Sequence, residues 1–115
     1  MIENCIFCKM TYGEVSSHKV YEDEGVFAFK DINPQAPVHI IIIPKKHISG
    51  LNIVSSEDEK ILGHIQIIAS EIAKRFMEMK NGFRLINNCG ADGGQTVFHI
   101  HYHLLGGRLF SWPPG

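Results

Sequence analysis

The chain carries no excess of either charge. Its 11 Lys and Arg stand against 12 Asp and Glu, a formal net charge of −1 with histidine neutral. That balance speaks against nonspecific binding to nucleic acid or to an anionic membrane surface, so any phosphate site must be local. Long apolar runs are also missing. No unbroken one exceeds Ile40 to Ile43, far short of the ~20 residues that span a bilayer. The first five residues, Met1 to Cys5, offer neither a basic segment nor a long apolar one. No secretory signal is expected, and a cytoplasmic protein is. Cysteine is scarce and odd in number, at three, which rules out an even disulfide framework. Repeats, linkers and low-complexity segments are absent, so residues 1–115 read as one domain.

Cys5 and Cys8 form a C-x-x-C pair in what reads as a short helical turn ending near Tyr12 and Gly13. Val20 to Glu22 and Val26 to Lys30 read as a hairpin around the turn-forming Asp23, Glu24 and Gly25. Asp31 to Pro37 is a loop, because Pro34 and Pro37 force extended backbone before them. Val38 to Ile43, apolar except for His39, fits a central strand covered on both faces. Ser56 and Glu59 have capping-box spacing. The stripe Ile61, Leu62, Ile65, Ile68, Ala69, Ile72, Ala73 and Phe76 predicts one long helix that runs to a stop at Asn81 and Gly82. Glu71 and Arg75 are spaced for an i,i+4 pair, and His64 falls on the solvated side. Phe83 to Asn88 reads as a strand. Trp112 and the two prolines after it suit a tail lying across a surface. These elements make an α+β domain, an antiparallel sheet with one long helix packed on it.

The most informative stretch runs from Phe98 to Gly107. Here histidine alternates with apolar residues, so a strand would turn His99, His101 and His103 to one face and Ile100, Tyr102 and Leu104 to the other. Imidazole can act as nucleophile, base, acid or metal ligand near neutral pH. The loop before it, Gly93, Gly94, Gln95 and Thr96, can turn backbone N–H groups toward an anion, and Thr96 adds a hydroxyl. A phosphate held there would lie beside His101, which could attack phosphorus and become phosphorylated, while His103 contacts an oxygen or assists the leaving group. The alternative is a polar face and a hairpin turn whose glycines serve geometry only.

Two weaker constellations accompany it. The thiols of Cys5 and Cys8 with two downstream imidazoles would complete a tetrahedral zinc site. His47 and His99 are the preferred partners, each near a strand end, but spacing alone equally allows two half-buried core thiols. Cys89 has no evident role. Asp31 and Ile32 could hold a ribose and cover a base, although a turn-initiating Asp is commoner.

The order His99-Ile100-His101-Tyr102-His103-Leu104-Leu105 resembles the signature of the histidine triad (HIT) superfamily. Asp31 to His39, Ile43 to Ile48, Ala91 to Val97, Leu105 to Arg108 and the terminal Trp112 to Gly115 are similar to its Hint branch. The resemblance implies a HIT-like fold: a five-stranded antiparallel sheet, one long helix and a short N-terminal helix. It implies a homodimer in which two sheets join into one. It also implies a purine nucleoside monophosphate site and hydrolysis of nucleoside phosphoramidates through a nucleotidyl-histidine. By position, Asp31 and Ile32 would contact ribose and base, and Asn88, Gly94, Gln95 and Thr96 would hold ribose and phosphate. His101 would be the nucleophile, His103 a phosphate contact, and Trp112 would reach the partner's site. Zinc-binding bacterial relatives imply Cys5, Cys8, His47 and His99 as ligands. Nucleotidyl transfer, dinucleoside polyphosphate cleavage and a non-catalytic nucleotide-binding scaffold are the competing readings.

Overall fold

The computed structural model describes residues 4–115. Its centre is a strand sealed on both faces, β3 (Val38–Pro44), every residue of which is buried. On one side of it lies β2 (Val26–Lys30), and beyond that β1 (Lys19–Glu22); on the other lies β5 (Tyr102–Gly106), with β4 (Phe83–Asn87) outermost. The order β1-β2-β3-β5-β4 is antiparallel throughout. β-branched and aromatic residues dominate β2 and β3, as a pleated, buried surface favours. Among the described residues no helix is long and apolar enough to cross a membrane.

The two faces carry different cores. On one, Val26, Ala28, Val38, Ile40, Ile42 and Leu104 pack against Ile65, Ile68, Ala69, Ile72 and Ala73 of α2 (Glu59–Ala73). Burial of each such aliphatic side chain contributes roughly 1.5–3 kcal/mol. On the other, Phe27, Phe29, Ile41 and Ile43 are covered by Cys5, Phe7 and Cys8, at and within α1 (Ile6–Thr11). His39, between Val38 and Ile40, points to that second face.

Local details depart from the sequence expectations for tertiary reasons. The cap before α2 is made by Ser55, not Ser56: the Ser55 amide donates to Asp58 Oδ2 at 3.1 Å and Ser55 Oγ accepts from the Glu57 amide at 3.3 Å. Asp58, the other member of this capping box, also pairs with Lys46 Nζ, 2.8 Å from its Oδ1. The helix ends at Ala73, well before Asn81. Phe76 turns extended (φ −116°, ψ 119°), and a 3-10 turn over Met77–Met79 lays Met79 against Gly106, where any Cβ would collide with it. Asn81 and Gly82 (φ +129°) form the turn into β4 instead. Arg75 donates to the Val20 carbonyl at 3.0 Å and does not pair with Glu71. His64 is not merely solvated, since its Nε2 lies 2.6 Å from Asp23 Oδ2.

The histidine strand is shorter than its alternation suggests. The β3–β5 ladder begins at Ile42 opposite Tyr102, so His99 and His101 lie before β5. Continued register would set Ile100 against Pro44, which has no N–H for a ladder bond. The Ile100 amide goes to the Ile48 carbonyl at 2.6 Å instead. The alternation survives nonetheless, because Ile100, Tyr102 and Leu104 still enter the helix-side core.

Asp23 closes the β1–β2 hairpin. It accepts from the Gly25 and Val26 amides at 2.9 and 2.8 Å and from the Tyr21 hydroxyl at 2.6 Å. Burial pushes its carboxyl up, but the bonds from Tyr21, His64 and the two amides outweigh that and hold it well below the usual carboxylate range. The same bond pushes the Tyr21 phenol up to about 12. A carboxylate depressed by folding contributes stability above its unfolded pKa of about 3.9, and the contribution is lost as pH falls below that value. Asp23→Asn is expected to cost roughly 1–3 kcal/mol at pH 7. Urea unfolding at pH 7 and at pH 3 checks this, and the gap to the parent protein should shrink at the lower pH.

Candidate active site and metal centre

With Ile100 and Tyr102 held in the core, His99, His101 and His103 turn toward the face that carries α1. The rings of His101 and His103 stand 5.1 Å apart between centroids, edge to face. A fourth histidine joins them. His39 on β3 pairs in register with Leu105, and its diagonal neighbour across the ladder is His103. His39 Nε2 lies 2.8 Å from His103 Nδ1 and 3.3 Å from Asp31 Oδ2.

The hydrogen-bond partners determine where the protons sit. The Gln35 amide donates to His39 Nδ1 at 3.0 Å, so the proton of neutral His39 is on Nε2 and is donated to His103 Nδ1. Neutral His103 then keeps its own proton on Nε2. Burial pushes the pKa of His39 down. Burial, reinforced by His101 and His39 and opposed by Asp31, pushes His103 down to about 4. Both shifts favour the neutral rings, and Asp31 Oδ2 lies beside the His39 Nε2–H, whose hydrogen-bond partner is His103. His101 Nδ1 lies 2.8 Å from the His99 carbonyl, which can only accept. The proton of a neutral His101 is thus on Nδ1, and Nε2 carries the lone pair. Asn87 on β4 donates to the His101 carbonyl at 2.9 Å, and its own Oδ1 is buried without a partner.

At the other end of the row, Cys5, Cys8, His47 and His99 converge, with one ligand atom from each within 4.8 Å of the others. His99 Nε2 lies 2.8 Å from the Pro44 carbonyl, so its proton is there and Nδ1 presents a lone pair. That Nδ1 faces Cys5 Sγ at 3.3 Å, Cys8 Sγ at 3.6 Å and His47 Nδ1 at 3.2 Å, and Cys8 Sγ lies 3.5 Å from His47 Nδ1. Zinc bonds of about 2.0–2.3 Å would set tetrahedral corner atoms roughly 3.3–3.8 Å apart. Donor types and spacings both fit such a centre, and the Pro44 carbonyl supplies the outer hydrogen bond that ligating histidines usually have. Burial pushes His99 down to about 4, which keeps its ring available as a ligand. Cys89 lies apart, against Asn52.

The glycine-rich loop is built differently from an open anion nest. The Gly94 amide donates to Ala91 O and the Gln95 amide to Gly90 O, both at 3.0 Å, so two of the four amides close the loop on itself. Gly94, at φ +81°, makes that turn possible. The Gln95 side chain is buried and pins the loop, donating to Ser49 O and Val97 O and accepting from the Gly90 amide. Asn88 Nδ2 donates to Gly93 O at 2.7 Å. Thr96 is exposed. Asp31 bonds the Asn33 amide at 2.8 Å, while Ile32 is 95% exposed. The tail is fixed by Phe110, stacked on Arg84 and Arg108, and by Arg84 donating to Ser111 O; Trp112 stays exposed.

Three residues of this site carried no assigned role in the sequence. His39 was visible as the one polar residue in an apolar strand. Asn87 and Phe7 gave no signal, because their importance rests on contacts across the sheet. Phe7 stacks edge-on against His99 and His101, at 5.9 and 5.1 Å.

A family model described as the HIT domain matches residues 12–109. The chain is 50% identical, over the full length of both proteins, to an uncharacterized HIT-like protein of Synechocystis. It is 48% identical to a 14 kDa zinc-binding protein of Zea mays, over 96% of this chain and 87% of that one. Its fold is similar to a crystal structure of a HIT family hydrolase from Legionella pneumophila, with a TM-score of 0.94, 49% identity, and 97% and 100% of the two chains covered.

A histidine whose pKa is depressed by folding contributes stability above the unfolded value of about 6.5 and loses it as pH falls toward the folded value. For His39 and His103 that window runs from about 6.5 downward, to about 4 for His103. Calorimetric melting temperatures should fall across this window, and a His39→Gln/His103→Gln double variant should show a shallower fall.

Proposed function

The chain belongs to the HIT domain family, and from that membership and its histidine wiring we propose that it hydrolyses purine nucleoside phosphoramidates, in the manner of the Hint branch. The observation that carries this reading is the bond from His101 Nδ1 to the His99 carbonyl. It leaves the other ring nitrogen as the nucleophile, needing no base to deprotonate it.

The chemistry proceeds in two displacements. His101 Nε2 attacks phosphorus, a new N–P bond forms, and the P–N bond to the amine breaks. The amine departs with a proton taken from solvent, and His103 Nε2–H, held by His39, donates a hydrogen bond to the phosphoryl oxygens or to that leaving group while keeping its proton. Water then attacks phosphorus, the N–P bond to His101 breaks, the water's proton passes to solvent, the nucleotide leaves as the monophosphate, and His101 regains its lone pair. Asp31 is the ribose contact and Ile32 the base contact. Asn88, Gly94, Gln95 and Thr96 shape the ribose and phosphate side, Gln95 through its hold on the loop. The exposure of Ile32 and Thr96 suits surfaces that a ligand covers.

Cys5, Cys8, His47 and His99 would hold zinc, which supplies a cross-link between α1 and the sheet. The homodimer follows from the same reading. β4 is an edge strand, free to pair with its equivalent in a second copy, and the tail with Trp112 would extend toward the partner's site. No part of this reading needs nucleic acid or a membrane, and it places the protein in the cytoplasm.

Brief exposure to adenosine phosphoramidate, followed by mass spectrometry, tests it. The parent protein should carry a transient adenylyl group, and native spectra should show one zinc per chain. His101→Ala should lose the adduct and roughly a thousandfold or more of kcat/KM, and an unchanged His101→Ala would overturn the assignment. Preference for diadenosine polyphosphate over the phosphoramidate would point to the dinucleoside polyphosphate hydrolases instead.

A further inference from the structure

The catalytic row and the Cys/His cluster meet at one side chain. Phe7 is buried, at 6% exposure, in the first turn of α1 between Cys5 and Cys8. Its ring edge meets His99, a member of the cluster, at 5.9 Å and 77°, and His101 at 5.1 Å and 77°. On a third side it meets Phe29 of β2 at 5.5 Å. The helix that carries it has only six residues, too few to be stable alone. Its tertiary anchors are the two thiols in the cluster and the apolar contacts of that face.

We propose that Phe7 is a positioning residue for His101, and that through it the occupancy of the Cys5/Cys8/His47/His99 cluster sets the turnover rate. The inference rests on the hydrolase reading for its kinetic arm only. Besides the His103 ring 5.1 Å away, two contacts orient the His101 ring from the side of the cluster: its Nδ1–H bond to the His99 carbonyl and the Phe7 ring against it. Both originate at the cluster, since His99 and the Cys5–Cys8 turn are its members. An occupied cluster holds the Cys5–Cys8 turn and His99 in place together. When the cluster is emptied, α1 is held to the sheet by its apolar contacts alone, and the wall beside His101 loosens. The ring keeps its chemistry and loses its aim. Misplacement by about 1 Å is enough to cost on the order of a hundredfold in rate. Phe7 is buried, so substrate binding should change little.

The test compares the parent protein with Phe7→Leu, Phe7→Ala and Phe7→Tyr, each purified with its metal and counted by native mass spectrometry. Phe7→Leu and Phe7→Ala should keep the metal and a KM within about threefold of the parent. Their kcat should fall roughly 10–100-fold, and Phe7→Tyr, which keeps the ring, should recover most of it. Independently of turnover, the His101 ring Nδ1–H signal in nitrogen-15 spectra should exchange faster with solvent in Phe7→Ala. Chelation of the parent protein should produce the same faster exchange while circular dichroism shows the sheet retained. Should Phe7→Ala fail to fold, Phe7→Leu and the chelated parent carry the comparison. Parent-like kcat and parent-like exchange in metal-loaded Phe7→Leu would overturn the proposal. If the parent itself has no turnover, the hydrolase reading fails, and the exchange measurement alone still decides the coupling.

Discussion

One hydrogen bond organises the chemistry of this molecule: the His101 ring donating through Nδ1 to the carbonyl of His99. A backbone carbonyl cannot give up a proton, so the bond admits one tautomer of neutral His101 and leaves Nε2 with its lone pair. The carbonyl is itself fixed. Its residue is fully buried, bonded through Nε2 to Pro44 at 2.8 Å, and drawn into the Cys/His cluster through Nδ1. A parallel constraint acts on His103, where the Gln35 amide dictates the proton of His39 and His39 dictates that of His103. Two backbone groups therefore specify the opposite protonation of adjacent rings. One ring offers a lone pair and its neighbour offers a proton.

The fold supplies the rigidity this wiring needs. β3 is buried along its whole length and holds both His39 and, through Pro44, His99. The helix-side core of Ile40, Ile42, Ile100 and Leu104 anchors the chain on either side of the site's histidines. Pleating converts that packing into aim, because a residue cannot leave the core face without turning its neighbours away from the site. The departure of residues 98–101 from the ladder is part of the same design. Pro44 has no N–H to pair with, and its carbonyl is thereby free for His99.

Much of this was legible in the chain itself. The period of two from His99 to Leu104 gave the facing of the row, and the apolar run of β3 gave its central place. Helical spacing gave the buried side of α2. What sequence could not supply depended on contacts between distant residues. Ser55 and Ser56 both offer a capping hydroxyl, and the box forms between Ser55 and Asp58, which also pairs with Lys46. Phe76 continues the apolar stripe in sequence, yet the helix has already ended at Ala73, and the turn after Phe76 packs Met79 on Gly106. His39 owes its role to the β3–β5 register, and Phe7 to the face that α1 covers. Gln95 sat in a loop that reads as ligand-binding, and its side chain turned out to be the pin that holds the loop closed. The C-x-x-C pair allows two readings in sequence, and the fold brings His47 and His99 beside it.

The claim on which the account stands is that the two neighbouring rings are locked in opposite tautomers by the backbone. Nitrogen-15 imidazole spectra of the parent protein at neutral pH measure this directly. The account predicts a protonated Nδ1 and bare Nε2 on His101, and a bare Nδ1 and protonated Nε2 on His103. A neutral His101 ring found protonated at Nε2 would contradict it.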